Sequence, residues 1–242
     1  MRTEVRTPKV STDIYSRDII LKAMINPLPI AKSLDMLQTW AQSHAPGVSF
    51  RPPADSAAIA NFIDKSSLTI PEELHQLLLR ADGETRKSAG LIGNWRLMPI
   101  AEIQAAWGLL TKLAEKGAFT DHSPNPSPYI RHMWWHAAWI PIVSSDAGDY
   151  FCLDTDPPES QRFGQVLLYL QDRPERFLIA GSLRAWFDRI VQDLHEGIYT
   201  YDCEKGFNIE AFMWSALEGK HLFEEIKGTL IVEKDHGNED TP

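Results

Sequence analysis

The side chains best placed to do chemistry crowd into one stretch. His132 and His136 are followed by Ser144-Ser145 and then by Asp146, Asp149, Asp154 and Asp156. Four carboxylates so close together invite a calcium loop. Such a loop needs oxygen ligands at alternating positions, a glycine at the bend and a closing bidentate glutamate. The intervals here are three, five and two, with an apolar run between them. The acids therefore read as turn residues bonding nearby N–H groups, with a partner-facing acidic edge as the second reading. His132 and His136 have the spacing of a zinc-protease helix, but Met133 stands where the general-base glutamate belongs. Ser144-Ser145 lies near His136 and Asp146 without a Gly-x-Ser-x-Gly elbow or an oxyanion-hole sequence. Asp82-Gly83 lacks the glycine-rich neighbours of a phosphate loop. The sequence thus predicts no catalytic residue, no metal ligand, no cofactor and no enzyme. What remains is contact chemistry. Trp134, Trp135 and Trp139 form a dense aromatic group beside a proline-rich segment. Such groups pack cores, and they also anchor interfaces. The candidate partner-binding residues are Trp134, Trp135, Asp146, Asp149 and Asp156.

These residues must be positioned by the elements around them. Trp139-Ile140-Pro141-Ile142-Val143 and Tyr150-Phe151-Cys152-Leu153 are apolar, aromatic and β-branched runs separated by a Ser/Asp/Gly turn. They read as the two strands of a hairpin. Trp139 and Leu153 are expected to be largely buried. Pro141 cannot donate to a ladder, so the first strand is an edge strand or starts there. Upstream, Ser33 is expected to cap a helix over 34–44, and Asp55 or Ser56 a short one over 57–64. Pro71 suits the first turn of a helix whose stripe is Leu74, Leu77 and Leu78, ended by Asp82-Gly83. Residues 91–97 read as a strand. Pro99 opens an amphipathic helix carrying Ile100, Ile103, Trp107, Leu110 and Leu113 and ending near Gly117. Residues 118–130, with Pro124, Pro126 and Pro128, read as a surface loop. Strands are expected over 165–171 and 176–179, then a helix over 183–196 capped by Ser182, a short strand over 198–201 and a helix over 209–217. Strands flanked by helices predict an α+β fold: a single domain with a mixed, mostly antiparallel sheet, helices packed on it and an extra N-terminal helical segment.

The pieces resemble the SUKH superfamily of fungal cell-wall assembly regulators and bacterial immunity proteins. The resemblance is carried by Trp139-x-Pro141, Gly148-Asp149, the aromatics at 150 and 151 and Cys152-x-Asp154. It extends upstream to Ile70-Pro71-x-x-Leu74 and Asp82-Gly83. Downstream it takes in Pro157-Pro158, Gly164-Gln165-Val166, the charged turn Gln171 to Arg176 and the helix start Ala180-Gly181-Ser182-Leu183. It covers about residues 70–193. Asp82 replaces the usual Asn and Leu183 the usual Phe. The resemblance implies a small mixed sheet with helices on it and a function exerted by protein contact. The leading expectation is an immunity protein that neutralises a cognate toxin, which is basic and nuclease-like. The alternative is a regulatory scaffold in cell-wall synthesis.

Composition permits either. The 242-residue chain carries a net charge of −9, which disfavours a nucleic-acid partner and suits a basic protein. No apolar run approaches the ~18 residues of a membrane span, and no apolar leader stands at the N-terminus, so a cytoplasmic protein is expected. Cys152 and Cys203 form no Cys-x-x-Cys pair. The expected organisation is an arm and helical decoration over 1–65, a core domain over 66–228 and a disordered acidic tail over 229–242.

Overall fold

The computed structural model describes residues 29–92, 95–197, 201–202 and 206–207. The central hairpin is formed by β3 (Trp139–Ser144) and β4 (Tyr150–Asp154), paired antiparallel from Trp139↔Asp154 to Ser144↔Tyr150. Trp139 and Leu153 are both fully buried. Around the hairpin a six-stranded sheet is built from β1 (Arg96–Leu97), β5 (Gln165–Tyr169), β6 (Glu175–Ala180) and β2 (Asn125–Pro126). The order is β1-β3-β4-β5-β6-β2, and only β2 runs parallel to its neighbour. The fold is α+β, as expected. A bulge between Pro141 and Val143 absorbs the proline. β1 pairs only with Val143 and Ser144, so the proline-bearing half of β3 keeps the character of an edge.

Strand side chains alternate between faces, and each face has its own cover. Phe151, Leu153, Val166, Leu168, Phe177 and Ile179 belong to the main core. That core is closed by α1 (Ile30–His44), α2 (Ser56–Ser66), α3 (Glu72–Arg80) and α5 (Leu183–His195). On the opposite face, Cys152, Leu167 and Tyr169 meet Trp135, Trp139, Ile130 and Leu110. Leu110 comes from α4 (Ile100–Glu115); Ile130 and Trp135 come from the segment that follows it. The expected surface loop is exposed or half-buried over most of its length, and its ends, Phe119 and Ile130, reach this second core.

Several helix ends differ from expectation. α1 starts at Ile30 after Pro29. Ser33 lies inside it, fully buried, and donates to Asp188 of α5. Asp55 accepts from Ala57 N–H and caps α2, and Ser182 accepts from Ala185 N–H and caps α5. α1 packs against α3 and α5 in the same core as the rest. The expected strand over 91–97 shrinks to Arg96–Leu97, with Leu91 and Ile92 buried ahead of it. Tyr201–Asp202 and Gly206–Phe207 form a two-stranded ribbon, β7 and β8. Residues 1–28 of the expected arm, residues 198–200 of the expected short strand, the helix over 209–217 and the acidic tail lie outside the described residues.

A polar knot ties α3 to the sheet. Asp82 accepts from Ile100 N–H at 2.8 Å and from Arg51 at 3.3 Å. Glu84, fully buried, accepts from Leu97 N–H at 2.8 Å and Leu91 N–H at 3.2 Å, and from Ser88. Gly83 sits between them at φ +66°, and a Cβ there would stand 2.5 Å from the Met98 backbone. Only glycine fits this crossing.

Candidate protein-contact site

The turn between β3 and β4 is organised by its own hydroxyls. Ser144 Oγ accepts from Asp146 N–H at 2.9 Å, and Ser145 Oγ from Ala147 and Asp149 N–H at 3.2 and 3.3 Å. Asp146 takes φ +62° and Gly148 φ +100°, a conformation that aspartate tolerates and glycine adopts freely. Ser144-Ser145 is thus turn scaffolding.

Each acid of the turn has a structural partner. Asp146 accepts from Arg96 Nη2 at 2.7 Å and Nε at 3.0 Å. Arg96 is buried and also reaches Glu102, which in turn meets Arg86 at 3.3 Å. The paired hydrogen bonds from Arg96 hold the Asp146 carboxyl below its usual range. Asp149 Oδ1 accepts from Gln171 N–H at 2.9 Å and so links this turn to the one between β5 and β6. A Cβ on Gly148 would run into the Gln171 side chain, so the two turns interlock.

Asp156 lies elsewhere. It follows β4, whereas Asp149 precedes it, so roughly 20 Å of strand separates them at about 3.3 Å per residue. Asp156 pairs with Arg131 at 2.9 Å and stands 3.7 Å from His136. Burial pushes His136 below its usual range against the pull of Asp156 and Asp154. Asp154 is fully buried, accepts from Gln165 Nε2 at 3.0 Å, and burial raises its carboxyl. The expected single acidic edge is therefore divided between the two ends of the sheet. Among the described residues, no group of three His, Cys, Asp or Glu side chains could hold a metal ion.

The two tryptophans also part company. Trp135 is buried, donates to Thr111 at 3.2 Å and meets Trp139 and Tyr169 edge-on. It has no surface to offer a partner; its expected role as an anchor is corrected to one in the core. Trp134 is part-exposed and lies 4.2 Å from His122 and 6.5 Å from Phe119 between ring centroids. Tyr150↔Tyr169 and Tyr169↔Arg176 are register pairs, and Arg176 lies beneath Trp134. Trp134 therefore stands at the same end of the sheet as Asp146 and Asp149.

What positions Trp134 is Arg176, which the sequence presents as the end of a charged turn and the start of a strand, with no role assigned to it. It is the second residue of β6 and fully buried. Its guanidinium donates to the carbonyls of Trp134, Leu170, Arg173 and Glu175 and lies 4.8 Å and 4.3 Å from the Trp134 and Tyr169 ring centres. The alternation Arg176, Phe177, Leu178, Ile179 was the available signal, since it points Arg176 to the same face as Leu178.

Asp146→Asn is expected to lower stability by about 1–2 kcal/mol. Breaking a fully buried pair costs about 3–5 kcal/mol, but Asp146 is exposed and Glu102 remains beside Arg96. Urea unfolding checks this, and an unchanged midpoint would count against the pin.

Comparison with known proteins bears on this geometry. The sequence profile of the SMI1 / KNR4 family (SUKH-1) matches residues 53–189, more than half of the chain. The chain belongs to the SMI1 / KNR4 family (SUKH-1). The matched span holds the whole six-stranded sheet. Similar relatives include the "Cell wall biosynthesis/cell cycle regulator smi1" of Schizosaccharomyces pombe, 22% identical over 200 residues, with 74% of this chain and 37% of that protein covered. Another is the "Glucan synthesis regulatory protein" of Neurospora crassa, 22% identical, with 72% of this chain and 40% of that protein covered. The "Cell wall assembly regulator SMI1" of Saccharomyces cerevisiae is 25% identical over 77 residues, 32% of this chain and 15% of its own. The chain spans well under half the length of these SMI1 / KNR4 relatives. Among the described residues, no helix is long and apolar enough to cross a membrane.

Proposed function

We propose that this SMI1 / KNR4 family protein is a regulator of cell-wall synthesis that acts through direct protein contacts rather than catalysis. The observation that carries this reading is the family match over the whole sheet together with relatives named as cell-wall and glucan-synthesis regulators. These relatives favour the regulatory reading over toxin immunity. Immunity rests on resemblance and on a net charge of −9 that suits a basic partner. The contact surface is the turn end of the sheet, where Trp134 is part-exposed above Arg176 and Asp149 ties two turns together. The expected site thus narrows to Trp134, Asp146 and Asp149, with Asp146 engaged mainly in holding the turn.

The test is a segment exchange. The matching 200-residue stretch of the fission-yeast relative is replaced by this chain in cells lacking that relative. The chimera is expected to restore growth under cell-wall stress. A chimera that accumulates to the normal level and restores nothing would sink the proposal.

A further inference from the structure

The outermost strand of the sheet comes from a segment in which every second residue is proline, Ser123-Pro124-Asn125-Pro126-Ser127-Pro128. Asn125 and Ser127 turn their N–H groups inward and donate to the carbonyls of Pro174 and Arg176, both at 2.7 Å. Successive residues of a strand direct their N–H and C=O groups to opposite sides. Pro124 and Pro126 therefore hold the outward positions, and neither has an N–H. The edge presents backbone carbonyl oxygens and no backbone donor. Among the described residues no backbone N–H reaches those two carbonyls. A strand cannot add to such an edge, because half of the ladder is missing.

Beside this edge lies an aromatic shelf of Phe119, His122 and Trp134, with centroids 4.2–6.5 Å apart. Exposed Asp121 adjoins His122 in the chain, and exposed Asp172 lies in the turn whose Pro174 carbonyl accepts the Asn125 N–H. Bare carbonyls, ring faces and nearby acids together suit one functional group, the planar, cationic, donor-only guanidinium. The protein already uses this chemistry just beneath, where Arg176 is seated on four carbonyls and two rings.

We propose that the β2 edge and the aromatic shelf form a docking surface for an extended, arginine-bearing segment of a protein partner. The segment is held by side-chain donors and ring stacking, not by strand addition. This rests on the reading of the protein as one that works by protein contact.

The probes are three ten-residue peptides, an Arg-Gly repeat, a Lys-Gly repeat and a Thr-Val repeat, titrated into the full chain and followed by amide and indole NMR signals. The Arg-Gly peptide is expected to shift Asn125, Ser127 and the Trp134 indole, and to bind about tenfold more tightly than the Lys-Gly peptide of equal charge. The Thr-Val peptide is expected to leave the wild type unchanged. The Pro124→Val/Pro126→Val variant, which gains two outward N–H groups, is expected to bind the Thr-Val peptide at this edge while keeping Arg-Gly affinity within about twofold. Equal affinity for Arg-Gly and Lys-Gly, shifts spread over acids elsewhere, or strand-peptide binding by the wild type would each overturn the proposal. If the yeast chimera works while no peptide binds here, the docking proposal falls and the regulatory reading stands. If the peptide binds and the chimera fails, it is the regulatory reading that falls.

Discussion

Replacing Arg176 with methionine is expected to lower stability by roughly 3–5 kcal/mol and to loosen the segment that carries Trp134. Methionine keeps much of the volume and can still lie against the rings of Trp134 and Tyr169. It supplies none of the donors. The Trp134 carbonyl would lose contacts at 2.8 and 3.1 Å, and those of Leu170, Arg173 and Glu175 one each at 3.1, 2.6 and 2.6 Å. A buried carbonyl left without a donor costs about 1–3 kcal/mol; the carbonyls nearest the turn recover part of this by admitting water. Burial pushes the Arg176 guanidinium down to about 10, so it stays charged at neutral pH, and what holds the charge is carbonyl oxygen and ring face. Arg176→Lys keeps the charge but not the planar fork that spans two loops, so an intermediate loss is expected. Urea unfolding gives the global figure. Amide hydrogen exchange gives the local one, with protection lost first over residues 119–135, which roof the second core. Equal exchange there in wild type and Met variant would show that Arg176 does not hold this segment.

The contrast between hairpin and Arg176 shows what a sequence displays. Trp139–Val143 and Tyr150–Leu153 were legible because an apolar, β-branched run bounded by Ser, Asp and Gly has few other homes. The roof over the opposite face was not legible. Residues 118–130 are polar and rich in proline, and a composition that predicts a loop says nothing of Ile130 and Trp135 reaching the sheet. The acids misled for a related reason. Asp146, Asp149 and Asp156 are close in sequence, but a five-residue strand carries Asp156 to the far end. Ser33 was read as a cap because serine favours that position; its hydroxyl instead joins Asp188 across two packed helices, a partner 155 residues away that no local pattern reveals. Buried charge is hardest of all, since glutamate and arginine are surface residues by default and only tertiary contacts keep Glu84 and Arg176 inside.

Glu84 is expected to make a contribution to stability that falls as pH rises from about 4.5 to about 7. Its side chain is fully enclosed beneath the crossing of Gly83 and Met98. Burial pushes its carboxyl from 4.5 up to about 7, against the opposing hydrogen bonds from Ser88, Leu97 N–H and Leu91 N–H. Between those two pH values the folded protein holds a proton that the unfolded chain has released. This contribution is therefore fully present below the unfolded value, declines through the window and levels off above about 7. At ~1.4 kcal/mol per unit, the whole window is worth about 3 kcal/mol. Glutamine copies the protonated form: its oxygen accepts from Leu97 N–H and its amide donates to Ser88. Glu84→Gln is accordingly expected to flatten the dependence and to be more stable than wild type at pH 8 by about 1–3 kcal/mol. Glu84→Ala removes the acceptor for both backbone N–H groups and opens a cavity, so it is expected to be less stable at every pH. Urea unfolding at pH 5, 6, 7 and 8 on the three proteins separates these outcomes. A Gln variant with the same slope as wild type would show that Glu84 is ionised in the fold and that its N–H partners outweigh its burial.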